Sequence, residues 1–188
     1  MSDEISLNNS RIESNGKIKI RVLVAGPAAT GKTAFIEKFL HGTFRKDYIM
    51  TMGGEIHIKS LGFDGVDIDL IINDLPGEER FRVARESFYQ GAAGALMIID
   101  LTRYSTFKPG LFERLKELWK NAGKIPTLII GNKKDLADGG YRSIKKEEIL
   151  EYCNKIQCDY IETSTRDGTG IKEAFNLLIK NILTNKDE

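Results

Sequence analysis

The amino-acid sequence predicts an α/β domain in which helices cover both faces of a mostly parallel sheet. Two short apolar runs, at residues 95–99 and 127–130, are typical of parallel strands that are buried on both faces. Segments with helical periodicity separate these runs and follow them. Strands that alternate with helices along a chain are typical of this architecture.

The remaining strands and the helices are predicted from the spacing of apolar residues. Residues 17–25 alternate between apolar and charged side chains over most of their length, which predicts a strand. Residues 55–61 alternate in the same manner, and residues 66–72 complete a predicted hairpin around Gly62 and Gly65. The predicted helices span residues 34–41, 79–90, 111–121, 145–155 and 172–183.

The length and the ends of the chain indicate one domain with short flanking segments. A chain of 188 residues suits a single domain. Residues 1–15 are polar and aperiodic, and we expect them to form a mobile arm. Residues 16–184 are predicted to form the domain, and residues 185–188 a short tail.

Composition and charge narrow the classes of function. The chain has 28 Lys and Arg residues against 27 Asp and Glu residues, so its net charge of +1 does not favour a nucleic-acid-binding surface. No apolar run is long enough to span a membrane. The first residues fit neither a signal peptide nor a myristoylation site, and residues 184–188 contain no cysteine to lipidate. We therefore expect a cytoplasmic protein without a direct lipid anchor, in which Cys153 and Cys158 are reduced thiols.

A phosphate-binding motif lies between the first long predicted strand and the first predicted helix. Residues 26–33, Gly-Pro-Ala-Ala-Thr-Gly-Lys-Thr, fit the pattern G-x-x-x-x-G-K-[ST] in the structural context that the pattern requires. Backbone N–H groups of such a loop point at phosphate oxygens, the lysine neutralises the terminal phosphates and the last hydroxyl is offered to Mg²⁺. A chance match in an ordinary strand–turn–helix loop is the alternative, and the motif by itself does not specify the base. The expected nucleotide-binding residues here are Ala28, Ala29, Thr30, Gly31, Lys32, Thr33 and Ala34.

A second motif follows the predicted strand at 127–130 and indicates which base is bound. Asn132, Lys133 and Asp135 resemble the N-K-x-D element of GTPases. The Asp135 carboxylate can accept hydrogen bonds from N1–H and the exocyclic amine of guanine, a pair of donors that adenine lacks. Lys133 can lay its aliphatic stem along the base and ribose, and Leu136 is expected beside them. The alternative is a solvated polar turn. The presence of the phosphate loop in the same sequence favours the base-binding interpretation over this alternative.

Over residues 17–183 the sequence resembles the small GTPases of the Ras superfamily, and the Rab branch most. Residues 74–77, Asp-Leu-Pro-Gly, are similar to the D-x-x-G element, and residues 162–166, Glu-Thr-Ser-Thr-Arg, to the E-T-S-A-K element. Residues 47–53 resemble the Rab effector segment. The resemblance implies a P-loop NTPase fold, a three-layer α/β sandwich with a six-stranded, mostly parallel sheet and about five helices.

The resemblance also implies roles for single residues. It assigns Mg²⁺ to Thr33, Thr51 and Asp74, and contacts with the γ-phosphate to Thr51, Gly77 and Lys32. It places Phe44 against the guanine ring, and backbone N–H groups of Ser164, Thr165 and Arg166 near guanine O6. Residues 44–53 and 74–90 would be the two switch segments that respond to GTP and GDP and bind effectors and regulators. The expected catalytic residues are Glu78, Thr51, Gly77 and Lys32.

The chain departs from the family pattern at Glu78, where the family usually has the glutamine that orients the attacking water. An ionised carboxylate cannot donate the amide hydrogen bond and brings negative charge toward the γ-phosphate, so we expect slow hydrolysis. A glutamate that acts as a base for water, or a tolerated surface residue, are the alternatives. Ala28 leaves less room than glycine for an arginine supplied by a partner, and Asn73 stands where Rab proteins have tryptophan.

Two functions follow from these patterns. The first is a molecular switch that hydrolyses GTP slowly, and the alternative is a non-hydrolysing scaffold or adaptor that stays bound to GTP. A nucleotide-phosphorylating enzyme would leave Asp135 and the two switch segments unexplained.

Overall fold

A single sheet forms the centre of the domain. The structure, a computed structural model, describes residues 6–7, 10–12, 16–42 and 54–184. Within those residues the sheet has eight strands. They are β1 (Ser6–Leu7), β2 (Ser10–Ile12), β3 (Ile18–Ala25), β4 (Glu55–Phe63), β5 (Val66–Asp74), β6 (Gly94–Asp100), β7 (Thr127–Asn132) and β8 (Asp159–Glu162).

The strands β3 to β8 form the predicted, mostly parallel sheet. β3 pairs in parallel with β5 on one side and with β6 on the other, and β7 and β8 continue the parallel order beyond β6. β4 pairs antiparallel with β5 as the second strand of the predicted hairpin. The six-stranded α/β sheet is therefore confirmed. The pattern did not identify β8, a four-residue strand that is largely half-exposed and so lacks a long apolar run.

β1 and β2 lie in a segment that was expected to have no regular structure. β2 pairs antiparallel with the first part of β3, with Ser10 opposite Ile20 and Ile12 opposite Ile18, and β1 pairs with β2. Residues 6–7 and 10–12 thus form strands within the segment that we expected to be a mobile arm. Strands of two and three residues are too short to show an alternating pattern. The rest of that arm and the tail at 185–188 lie outside the described residues.

Five helices of eight or more residues cover the sheet in the described part of the chain. Each lies where helical periodicity predicted it, although the segment predicted at 79–90 begins as a short 3-10 turn at Glu79–Phe81. None of the described helices is both long and apolar enough to cross a membrane. The helices are α1 (Lys32–His41), α2 (Arg82–Tyr89), α3 (Phe112–Ala122), α4 (Lys146–Ile156) and α5 (Ile171–Thr184).

Two hydrophobic clusters lie on opposite faces of the sheet and make it a three-layer sandwich. On one face, alternate residues of β3 pack with α1 and α5, where the Phe175 ring stacks on Phe35 and Phe39 at centroid distances of 5.5 and 3.7 Å. On the other face, residues of β6 and β7 pack with α2, α3 and α4. β3 contributes to both clusters, since its alternate apolar residues lie in the first and Leu23 and Ala25, near its end, lie in the second.

We predict that Phe175→Ala lowers the free energy of unfolding by about 3 to 5 kcal/mol, because it removes a fully buried ring between α1 and α5 and leaves a cavity. Urea denaturation measures the change. Leu150→Ala on α4 is the control: its side chain is 40% exposed, so it should cost less than about 1 kcal/mol. Equal losses for the two variants would contradict the assignment of Phe175 to the core.

Candidate nucleotide-binding site

The two sequence motifs meet at the carboxyl ends of β3 and β7. In an open α/β sheet this edge is where ligands bind. The phosphate loop follows β3, and the loop that carries Asn132 and Asp135 follows β7. A Cβ on Gly31 would lie 2.6 Å from Nδ2 of Asn132, so the two loops are in direct contact. The structure therefore brings together residues that are far apart in the sequence.

Both glycines of the phosphate motif are required by geometry. Gly26 has a φ of +142°, and a Cβ there would lie 2.2 Å from the carbonyl oxygen of Ile98 on β6. Gly31 has a φ of +93° and faces Asn132. A side chain at either position would be both strained and obstructed, which explains why the pattern has glycine there.

Side chains at the end of β7 and in the loop after it hold two carbonyls of the phosphate loop. Asn132 Nδ2 donates to the Thr30 carbonyl at 2.9 Å, and Lys133 Nζ donates to the Ala29 carbonyl at 3.3 Å. In a trans peptide the N–H points opposite to the C=O, so the following N–H groups face the other way. Successive N–H groups on one side of a loop form a binding site for an anion.

Lys32 lies in the loop as a buried cation. Its side chain is 7% exposed, and its Nζ donates to the Pro27 carbonyl at 2.9 Å. Burial lowers the pKa of Lys32 to about 8, although the nearby Asp74 carboxylate acts in the opposite direction. A buried ammonium of this kind gains from a phosphate that neutralises it.

Thr33 and Asp74, two of the three predicted magnesium ligands, are adjacent. The Thr33 hydroxyl donates to Asp74 Oδ2 at 2.5 Å. Asp74 is fully buried, and burial raises the pKa of its carboxyl while the Thr33 hydrogen bond lowers it. A hydroxyl and a carboxylate are the hard oxygen ligands that Mg²⁺ prefers, so these residues fit the ion. Thr51 and Phe44, with the rest of the segment at 44–53, lie outside the described residues.

Gly77 lies against the phosphate loop, and Glu78 follows it. A Cβ on Gly77 would lie 2.5 Å from Lys32 Nζ and 2.7 Å from the Ala28 nitrogen. This end of the loop therefore faces the segment that follows β5. The Glu78 carboxylate pairs with Arg80 Nε at 2.8 Å, and its side chain is 30% exposed.

The residues expected around the base also lie together. Ser164 Oγ donates to Asp135 Oδ1 at 2.9 Å, and Arg166 Nη1 lies 3.9 Å from Asp135 Oδ2. The Lys134 N–H donates to the Thr163 carbonyl at 2.9 Å, which ties the loop after β7 to the loop after β8. Leu136 follows Asp135 in a short helical turn, and Thr165 is buried between Ser164 and Arg166.

Sequence reasoning missed a charged cluster beside the site, which we call the Arg85 cluster: Arg85 and Tyr89 on α2, and Arg114 and Glu117 on α3. Arg85 binds Glu117 through two hydrogen bonds, at 2.7 and 2.8 Å. Arg114 Nη1 and the Tyr89 hydroxyl also donate to Glu117, at 2.8 and 3.1 Å. In the sequence Arg85 and Tyr89 are four residues apart on one predicted helix, and Arg114 and Glu117 are three apart on another. Such spacings are common on helices, so no pattern indicated that the two pairs contact each other.

The Arg85 cluster holds the backbone of residues 76–78. Arg85 Nη1 donates to the carbonyls of Pro76 and Glu78 at 3.1 and 2.7 Å. Arg114 Nη2 donates to the Gly77 carbonyl at 2.8 Å. The carbonyls of residues 76–78 thus all face charged donors, which fixes Gly77 against Lys32.

A model of the Ras family matches residues 21–184. The chain belongs to the Ras family. This Ras-family chain is 32% identical over 172 residues to the Ras-related protein RABA4b of Arabidopsis thaliana, covering 90% of the chain and 75% of that protein. It is 30% identical over 164 residues to Rab-13 of Canis lupus familiaris, covering 87% and 79%. It is 31% identical over 163 residues to the GTP-binding protein YPT1 of Saccharomyces cerevisiae, covering 86% and 78%. The Rab-like resemblance seen in the sequence is confirmed.

We predict that Glu117→Gln lowers the free energy of unfolding by about 3 kcal/mol at neutral pH, since it leaves the buried guanidinium groups of Arg85 and Arg114 with only the 70% exposed Glu79 carboxylate, at 3.7 and 3.2 Å. Burial by itself would raise the pKa of Glu117, but hydrogen bonds and charge from Arg85 outweigh it and hold the pKa below its usual range. A depressed carboxyl pKa stabilises the fold above the unfolded value of about 4.3, and this contribution is lost as the pH falls through the folded value.

Urea denaturation of both proteins at neutral pH and at a pH below about 4 checks this. The difference between native chain and variant should shrink in acid. Glu151→Gln is the control, because the Glu151–Lys155 pair is exposed at 68% and 69% and such pairs contribute less than about 1 kcal/mol. A difference that does not depend on pH would show that Glu117 acts through packing and not through charge.

Proposed function

We propose that this chain is a guanine-nucleotide-binding molecular switch that binds GTP and GDP with Mg²⁺ and hydrolyses GTP slowly. The observation that supports it most is the contact between Gly31 in the phosphate loop and Asn132 in the guanine-selecting loop. One site thereby combines an anion-binding backbone with a carboxylate suited to guanine. The name of the yeast relative, a GTP-binding protein, agrees with this proposal.

In the proposed function Asp135 selects the base. The Ser164 hydroxyl donates to Oδ1 of Asp135 and so holds the orientation of the carboxylate. Each carboxylate oxygen has capacity for more than one donor, so Asp135 can still accept N1–H and the amine of guanine. Lys133, held by the Asp100 carboxylate at 2.7 Å, extends across the loop toward the ribose and base.

At the phosphate end, Lys32 and the backbone of the loop bind the phosphates, and Thr33 and Asp74 hold Mg²⁺ together with Thr51. Bound there, Mg²⁺ would supply positive charge to offset the charge that develops on the phosphate oxygens. Gly77 lies beside Lys32, where its N–H can donate to the terminal phosphate. Release of that phosphate removes the contact, and segments 44–53 and 74–90 then signal to effectors and regulators.

Hydrolysis is slow in this proposal because of Glu78. Its carboxylate is paired with Arg80, which turns it toward a partner within the same segment. An ionised carboxylate accepts hydrogen bonds and cannot donate one to the phosphate oxygens. The chain therefore positions and stabilises charge through Lys32 and Gly77 but orients the attacking water poorly.

We predict that Glu78→Gln raises the single-turnover rate of GTP hydrolysis about tenfold, because the amide donates where the carboxylate cannot. Phosphate release from preloaded GTP measures the rate. Glu78→Ala is the matched variant: it removes the charge without adding a donor, so its rate should lie below that of Glu78→Gln.

A native rate equal to or above that of Glu78→Gln would show that Glu78 acts as a base for water. If the native chain retains GTP for days, the scaffold that stays GTP-bound becomes the better description.

We predict that Asp135→Asn weakens GDP binding at least about 100-fold, since the amide NH₂ of asparagine cannot accept a hydrogen bond from the exocyclic amine of guanine. The same amide NH₂ can donate to a carbonyl of xanthine, so xanthosine diphosphate should bind. Displacement of a fluorescent nucleotide gives both dissociation constants. Asp138→Asn, three residues further on and 52% exposed, is the control and should bind GDP as the native chain does. Unchanged GDP binding in Asp135→Asn would overturn the guanine assignment.

A further inference from the structure

Arg103 reaches the phosphate loop from the turn that follows β6. Its Nη2 donates to the Ala28 carbonyl at 2.8 Å, and its Nε donates to Asp100 Oδ2 at 2.9 Å. The Arg103 N–H also donates to the Asp100 carbonyl at 2.9 Å, which closes the turn. The side chain is therefore held at both its Nε and its Nη2, although it is 42% exposed.

Asp100 binds both Arg103 and Lys133, two cations that donate hydrogen bonds to the phosphate loop. It is fully buried at the end of β6, and its Oδ2 also binds Lys133 Nζ at 2.7 Å. Burial alone would raise the pKa of Asp100, but hydrogen bonds from Lys133 and Thr102 lower it, so the carboxylate is ionised. Arg103 donates to the Ala28 carbonyl, and Lys133 donates to the Ala29 carbonyl.

With the contact from Asn132, the carbonyls of three consecutive residues, 28–30, each accept a side-chain donor. The contact at Ala28 differs from the other two in its place in the site. Ala28 is the loop residue that lies against Gly77, and Gly77 lies against Lys32. Arg103 thus acts on the end of the loop where the terminal phosphate would lie, whereas Asn132 acts on the end nearest the base.

The hydrogen bond from Arg103 has a direct effect on the next N–H. The Ala28 C=O and the Ala29 N–H belong to one planar peptide group and point in opposite directions. A charged donor on the carbonyl fixes that plane and polarises the N–H, which becomes a stronger donor.

We propose that Arg103 is a positioning residue that fixes the Ala28–Ala29 peptide for the terminal phosphate, so that it favours the triphosphate over the diphosphate. The proposal rests on the proposed function, since it requires a nucleotide in this site. It assigns selectivity between the two nucleotide states to a residue outside the phosphate loop and outside both switch segments.

The test uses Arg103→Gln and Arg103→Lys in the full chain, with GDP and a non-hydrolysable GTP analogue as ligands. Displacement of a fluorescent nucleotide gives the two dissociation constants. Arg103→Gln should raise the dissociation constant of the GTP analogue about tenfold and that of GDP less than about twofold. Arg103→Lys keeps a cation without the planar fork, so its ratio of the two constants should fall between those of the native chain and Arg103→Gln.

Lys108→Gln is the matched control, because Lys108 is also a cation in the segment after β6 and is 43% exposed, but it pairs with Glu148 at 2.7 Å and not with the phosphate loop. It should leave the ratio unchanged. If Arg103 had only a structural role, Arg103→Gln would weaken the binding of both ligands equally. An unchanged ratio of the two dissociation constants, whether or not both are raised, therefore overturns the proposal. A native chain that binds neither ligand instead overturns the proposed function and this inference with it.

Discussion

The arrangement of the site depends on the hydrogen bond from the Asn132 amide to the Thr30 carbonyl. Asn132 ends β7 and Thr30 follows β3, and the pairing of both strands with β6 sets the distance between them. A one-residue change of register would move Asn132 to the other face of the sheet and separate base selection from phosphate binding. β6 and β7 are buried along their full length, so packing on both faces of the sheet holds these strands at its centre. The hydrophobic core therefore positions the two loops as well as stabilising the fold.

Much of the fold and the position of the two motifs could be predicted from sequence, because both depend on local patterns. Periodicity identified the five helices, and the two nucleotide motifs have fixed spacing and fixed glycines. The strands β1, β2 and β8 could not be found in this way, since they are short and rely on pairing with strands distant in the chain. Backbone pairing of this kind leaves little trace in composition.

The side chains that complete the site were also missed, for a related reason. Arg103 and Arg85 act on carbonyls, and a carbonyl is present at every residue, so no residue type in the loop marks the contact. Glu117 becomes significant only because α2 and α3 pack together and bury it between two arginines. Geometry between elements, and not residue identity, creates these interactions.

The Arg85 cluster ties residues 76–78 to two helices at once. The bonds from Arg85 to the carbonyls of Pro76 and Glu78 join this segment to α2. The bonds to Glu117 and from Arg114 join α2 and the segment to α3. Any displacement of residues 76–89 away from α3 would have to break the bonds that Glu117 and Arg114 make to them, whereas the bonds between Arg85 and residues 76–78 could stay intact.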